Sequence, residues 1–179
     1  PDGTVTLTGL YPSIVYVNSA WTGLSDGVDP DGAGPATAIG LDAFATLNTA
    51  VMSLADGGTA YVLSGSTSEL TGVLSLGSRL IVNQGDLTIG TGTRSETEIT
   101  GGRFRNETNQ FWLTGVYFDG TTITNVTGGI ISLGIGEDTY FGGTLIDDHG
   151  AIQAIGSSLA GSFTGQFDGT LFQFNNGHG

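Results

Sequence analysis

The chain has 179 residues, 32 of them Gly and none Cys, and its 17 acids face four bases, all Arg (Arg79, Arg94, Arg103 and Arg105), for a formal net charge of −13. That length suffices for one domain with a sizeable core, the lack of Cys excludes disulfides and thiolate metal sites, and the charge argues against nucleic acid or an anionic membrane as partner. Apolar residues reach 38% and charged ones only 12%, against about 25% in average domains, which indicates a Gly/Thr/Ser-rich all-β chain and not a disordered one.

In chain order, residues 4–8 (TVTLT) alternate polar and apolar and predict a short strand, interrupted by Gly9 and Pro12. Residues 14–17 (IVYV) predict a buried strand. A Gly-rich loop follows over 18–40, with Pro30 and Pro35 inside it. Loops of that length are functional, disordered or ordered by something bound. Within it, Asp26, Asp29 and Asp31 lie at i, i+3 and i+5 among Gly and Pro. Flexible oxygen donors at that spacing suit a hard cation, so they form a candidate structural Ca2+ site, although the Glu that closes an EF-hand is missing.

Residues 42–55 predict a helix with Asp42 as N-cap. Phe44, Leu47, Val51 and Leu54 make one apolar stripe on it, and Gly57-Gly58 stop it. From Thr59 onward only strands and turns are expected. The strands fall at 60–63, 73–76, 79–82, 87–89, 98–100, 111–113, 116–118, 122–124, 130–133, 144–146, 151–155, 162–164 and 170–174, most of them separated by Gly, Asn or Asp. Short strands in such number, with loose self-similarity at Gly101-Gly102-Arg103-Phe104, Gly115-Val116-Tyr117-Phe118, Gly142-Gly143-Thr144-Leu145 and Gly169-Thr170-Leu171-Phe172, fit coils of about 20 residues. The expected fold is an all-β parallel solenoid, with a β-sandwich or jelly roll as the alternative. A solenoid leaves a raw apolar end at its first coil, and a lone helix ahead of the strands is what covers it.

The run DAFATLNTAVMSLADGGTAYVLSGSTSE, residues 42–69, resembles the N-terminal cap and first coil of right-handed parallel β-helix proteins of the pectin-lyase-like superfamily. The resemblance is carried by Phe44-Ala45-Thr46-Leu47, Asp56-Gly57-Gly58-Thr59, Tyr61-Val62 and Glu69, with Ser66-Thr67-Ser68 in place of the usual Gly-Thr-Tyr. Val15-Tyr16-Val17-Asn18 is similar to a lead-in found in large bacterial surface proteins. The likeness covers about 55 residues well and implies the fold more than a function, since the superfamily includes lyases, glycosidases, tailspikes, adhesins and structural proteins.

Two organisational pieces are expected: N-terminal strands and an acidic loop over 1–40, then the capping helix and coils over 41–179, forming one structural domain overall. The chain opens on Pro1 without a signal peptide and closes on Gly179 without a terminating element, as in a mature product or an excised part of something longer. The leading functional expectation is a non-catalytic structural or adhesive segment of a secreted bacterial surface protein, with copies of itself, neighbouring domains or surface glycans as partners. Self-assembly would proceed by strand addition or end-to-end stacking.

The rival expectation is a polysaccharide-active or glycan-binding module. Its candidate catalytic residues are Asp147, Asp148 and His178, because polygalacturonase-like β-helix enzymes use an Asp pair and a Gly-His-Gly, and paired carboxylates can protonate a glycosidic oxygen and activate water. The Asn-x-Asp before the pair and the Arg-x-Lys after it are both absent. Trp21, Trp112, Tyr117 and Phe118 are candidates for a sugar-stacking platform, with core packing as the default for aromatics on strands. Asn106-Glu107-Thr108 and Asn125-Val126-Thr127 are formal sequons.

Overall fold

The computed structural model describes residues 11–107, 110–134, 137–155, 159–168 and 171–175. The chain enters through β1 (Ile14–Val17), a 3-10 turn (Ser19–Trp21), a loop, the two-residue β2 (Ala43–Phe44) and α1 (Leu47–Ser53). β3 (Thr59–Val62) and β4 (Thr67–Leu70) follow. Four long–short pairs come next: β5 (Gly72–Asn83) and β6 (Asp86–Ile89), β7 (Thr97–Asn106) and β8 (Gln110–Leu113), β9 (Tyr117–Asn125) and β10 (Ile130–Leu133), β11 (Thr139–Asp148) and β12 (Ala151–Ile155). β13 (Leu159–Ala160), β14 (Phe163–Asp168) and β15 (Leu171–Asn175) complete the described chain.

Among the described residues every strand pairing is parallel, and each repeat of the winding pairs with the one before it. One sheet runs β13-β11-β9-β7-β5-β3-β1-β2, with β14 also on β11, and the other runs β15-β12-β10-β8-β6-β4. This is a parallel β-helix of about four turns. The sandwich alternative would need antiparallel hairpins, and the described residues contain none.

The long strands are bent, so they cover two faces of the coil while the short strands make a third. Register shifts mark the bends, between Ser75, Gly77 and Leu80 and between Gly142 and Gly143. Gly101 and Gly102 turn this corner with φ of 69° and 77°, and a Cβ on Gly102 would lie 2.5 Å from that of Leu76. A side chain is therefore excluded there on both conformational and steric grounds. The separate strands expected at 73–76 and 79–82 are one strand, β5, and those at 116–118 and 122–124 are one strand, β9, because ladder pairing continues on both sides of the corner. β13 and β14 divide the same track, each pairing with a different half of β11. β4 was not anticipated, since TSEL offers only one apolar residue.

Inward side chains stack in rows. Ala60, Ile81, Phe104, Ile123 and Leu145 are in register on successive coils, as are Leu70, Ile89, Leu113 and Leu133. All are buried in one core, and such cross-strand pairs are the unit of sheet stabilisation. Phe104 meets Phe111 and Phe118 at 5.7 and 6.1 Å, and Phe118 meets Phe141 edge-on at 5.4 Å.

α1 closes the first coil but is shorter than the expected 42–55. Its N-cap is Thr46, whose hydroxyl accepts from Thr49 N, not Asp42. Ala43 and Phe44 are drawn into pairing with Tyr16 and Val17 instead, and strand geometry there forbids an earlier helix start. The stripe Phe44, Leu47, Val51 and Leu54 is nevertheless buried in the main core. Gly57-Gly58 do not cap the helix; its C-cap is Leu54, and the Leu54 carbonyl accepts from Arg79 Nε at 3.0 Å.

β1 lies between β2 and β3, so the segment before the helix is built into the first turn. The loop after β1 folds onto the outside of that turn, where Trp21, Ala36 and Ala43 form a small second core with Tyr16, Ile39 and Leu63. The strand expected at 4–8 lies outside the described residues.

Candidate functional site

In the acidic loop, Asp29 and one oxygen of Asp31 accept from the loop's own backbone, while Asp31 Oδ1 is buried without a hydrogen-bond partner among the described residues. Asp29 Oδ1 accepts from Gly32 N at 2.8 Å and Asp31 N at 3.2 Å, and Asp31 Oδ2 accepts from Ala36 N at 3.3 Å. Asp26 lies beside Gly40, where a Cβ would approach its Oδ1 to 3.0 Å. Among the described residues no three His, Asp or Glu side chains are grouped to hold a metal ion. Asp42 organises the end of the loop, accepting from Ala38 N at 2.9 Å, Thr37 N at 3.0 Å and the Thr37 hydroxyl at 2.8 Å. Burial pushes its pKa up, but these bonds more than offset that and leave it lowered.

Asp147 and Asp148 are neighbours on β11, and neighbouring strand residues point to opposite faces. Asp147 is fully buried and faces inward. Asp148 faces out, where it pairs with His149 Nδ1 at 2.8 Å with both side chains more than half exposed. The two carboxylates therefore do not share a groove. His178 lies outside the described residues.

Asp147 instead belongs to a buried polar ladder that the sequence does not reveal. Asn83 Nδ2 donates to Asn106 Oδ1 at 2.8 Å, Asn106 Nδ2 to Asn125 Oδ1 at 2.9 Å, and Asn125 Nδ2 to Asp147 Oδ1 at 2.6 Å. The sequence separations are 23, 19 and 22 residues, one coil each. Each Asn amide also donates to the first residue of a short strand one coil on: Gln110 O, Ile130 O and Ala151 O, at 3.1, 3.4 and 3.2 Å. The ladder thus fixes the corner between the second and third faces. The asparagines of both formal sequons are its rungs and have no exposed surface.

The aromatic candidates separate. Trp21 belongs to the second core and Phe118 to the first. Tyr117 is on the outside, stacked on Tyr140 with centroids 4.8 Å apart and planes 3° from parallel. Trp112 is half-buried on the outward side of the short-strand face, between inward Phe111 and Leu113. Arg105 pairs with Glu107 at 3.0 Å. The Glu107 pKa is lowered, first by the hydrogen bond from Gln84 and, against burial, by Arg105.

A recess lies at the corner where short strands turn into long ones. Its volume is about 390 Å³, and it is lined by Glu69, Thr71, Thr88, Thr91 and Thr114 over a floor that includes Gly90. A Cβ at Gly90 would collide with the Thr114 carbonyl oxygen, so the floor exists because this residue has no side chain. No family model matches this chain, and neither does a curated protein or a solved structure.

Proposed function

We propose that this chain is a structural and adhesive segment of an extracellular bacterial surface protein, a β-helix of the pectin-lyase-like kind that does no chemistry of its own. The observation that carries this reading is the fate of the acids: Asp147 is consumed by the interior ladder while Asp148 faces solvent on the other side of the strand. An inverting or retaining glycosidase needs two carboxyls facing one another across a bond. The axially continuous ladder and aromatic rows are what a rigid spacer requires, because each coil is tied to the next by packing and hydrogen bonds. A Thr/Gly-rich acidic exterior keeps such a rod soluble and leaves hydroxyls for recognition.

Incubation with pectic, algal and bacterial polysaccharides should yield no new reducing or unsaturated ends, and protease treatment of intact producing cells should release the segment. Turnover that is lost in Asp148→Ala would overturn the non-catalytic reading. Protection from protease on intact cells would overturn the surface location. Copies of the chain are the partners proposed for end-to-end stacking.

A further inference from the structure

Tyr117 on β9 and Tyr140 on β11 are register partners on adjacent parallel strands, which lie about 4.8 Å apart. Their rings repeat that spacing, with centroids 4.8 Å apart and planes 3° from parallel. Both side chains are on the outward side of their strands and partly exposed, because Phe118 and Phe141 beside them point into the core. Gly142, two residues on, has no side chain to cover the ring edge that carries Tyr140 Cε1, where a Cβ would come within 3.7 Å.

A phenol that gives up an electron and its hydroxyl proton becomes a radical with spin on the two ring carbons beside the phenol carbon, Cε1 and Cε2. Two phenols held face to face meet at those carbons before either meets another tyrosine. The row that holds them continues as Glu98 on one side and Ala160 on the other, so the stack contains two phenols and no third. The Glu98 carboxylate and the chain's net charge of −13 favour loss of an electron from the neighbouring ring. The other stacked pair is placed differently. Tyr16 and Tyr61 have centroids 5.8 Å apart and planes 19° from parallel, and Tyr16 is packed against the second core. Tyr11 is 65% exposed, without a ring partner among the described residues.

We propose that Tyr117 and Tyr140 are an oxidative modification site, at which hydrogen peroxide and a haem peroxidase, or another oxidant of that one-electron class, join adjacent coils through a dityrosine bond. Each phenol loses one electron and its hydroxyl proton, and the two radicals form a Cε–Cε bond. Each coupled carbon then loses its hydrogen as a proton while the phenol oxygen regains one. The net change is two hydrogens lost from the protein, which reduce one peroxide to two waters. The bond ties the coil of β9 to that of β11 in a chain that has no cysteine to do so. It goes beyond the structural and adhesive reading above and stands without it.

The full chain, kept dilute, is treated with peroxidase and one equivalent of hydrogen peroxide and then cleaved after glutamate. That cleavage places Tyr117 in the peptide 108–137 and Tyr140 in the peptide 138–179, each as its sole tyrosine. Mass spectrometry should find the two peptides joined with the loss of two hydrogens, a mass distinct from that of an uncleaved bond after Glu137. The monomer band of a denaturing gel should carry dityrosine fluorescence. Tyr117→Phe and Tyr140→Phe keep the stacked rings and should each abolish the joined peptide, whereas Tyr11→Phe should leave its yield unchanged. Oxidation after unfolding in urea should lower the yield about tenfold relative to free tyrosine, because a flexible linker presents the second ring at only millimolar effective concentration. The proposal is overturned if the folded chain gives no joined peptide under conditions that couple free tyrosine, or if the yield in urea is the same. It is equally overturned if the joined peptide persists in either phenylalanine variant at position 117 or 140, or if coupling of Tyr16 to Tyr61, or between chains through Tyr11, predominates.

Discussion

Asn106 shows how one side chain holds two coils together. Its carbonyl oxygen accepts from Asn83 and its amide donates to Asn125, with no exposed surface. Asn106→Ala strands a donor above and an acceptor below, and each buried orphan costs about 1–3 kcal/mol. Chemical denaturation should therefore show a loss of about 2–5 kcal/mol. Asn83, Asn106, Asn125 and Asp147 are all visible in the sequence at or near the ends of strand-like segments. Their union is not, because the coils differ in length and only the parallel register brings the four together. The same depth explains the silent sequons: Asn-x-Thr specifies a chemical pattern, and burial decides what it is used for. At this scale pH enters too. The pKa values of Asp42 and Glu107 are both lowered in the folded chain. Groups lowered on folding stabilise above their unfolded pKa, and that stabilisation is lost as pH falls through the folded value. The thermal midpoint should accordingly fall as pH drops from about 5 toward 3. Asp42→Asn should shrink that fall and cost about 1 kcal/mol at neutral pH.

At the scale of elements, the cap was the most legible part of the chain. Leu47 and Val51 lie on the helix and reach the core as expected, because helical periodicity is a local signal; Phe44 reaches the same core from β2 and Leu54 from the C-cap. Its ends were less legible. Asp42 offers the side chain of an N-cap, but Ala43 and Phe44 pair with β1, a partner that closes from outside the helix. Leu54→Ala should cost about 2–5 kcal/mol, since a fully buried leucine over the first coil leaves a cavity. Gly58→Ala should destabilise as well, because a Cβ there would come within 2.6 Å of Leu54 Cδ1 and 2.8 Å of Ser13 O. Urea midpoints of the two variants check both expectations. The long strands show the opposite limit. Glycine reads as a strand breaker in sequence, yet at Gly101-Gly102 it turns a corner without ending the pairing of β7 with its neighbours.

For the whole molecule, charge and the capped end matter most. A net charge of −13 meets few ion pairs among the described residues, and the ones seen lie at the surface. Self-repulsion then opposes the compact state, and salt screens it over about 10 Å at 0.1 M. Added NaCl should raise the thermal midpoint, where a fold held by surface ion pairs would lose stability. The first coil is covered by α1. Disrupting that cover with Leu47→Asp should expose strand edges and core, and sedimentation should show a mass that rises with protein concentration more steeply than in the unaltered chain.

The sequence by itself determined an all-β chain of short strands behind one helix, acidic and without cysteine chemistry; it favoured parallel coils over a sandwich, and the strand pairings decided between them. What the sequence determined follows from local periodicity, from turn residues and from composition, all of which are written in consecutive residues. Only the tertiary structure decided which residues share a rung, a corner or a recess. Coils of unequal length carry no fixed period, so nothing in the sequence aligns Asn125 with Asp147 or sets Thr88 beside Trp112. Hydrogen-bond register does, and it separates Asp147 from Asp148 by the thickness of a sheet.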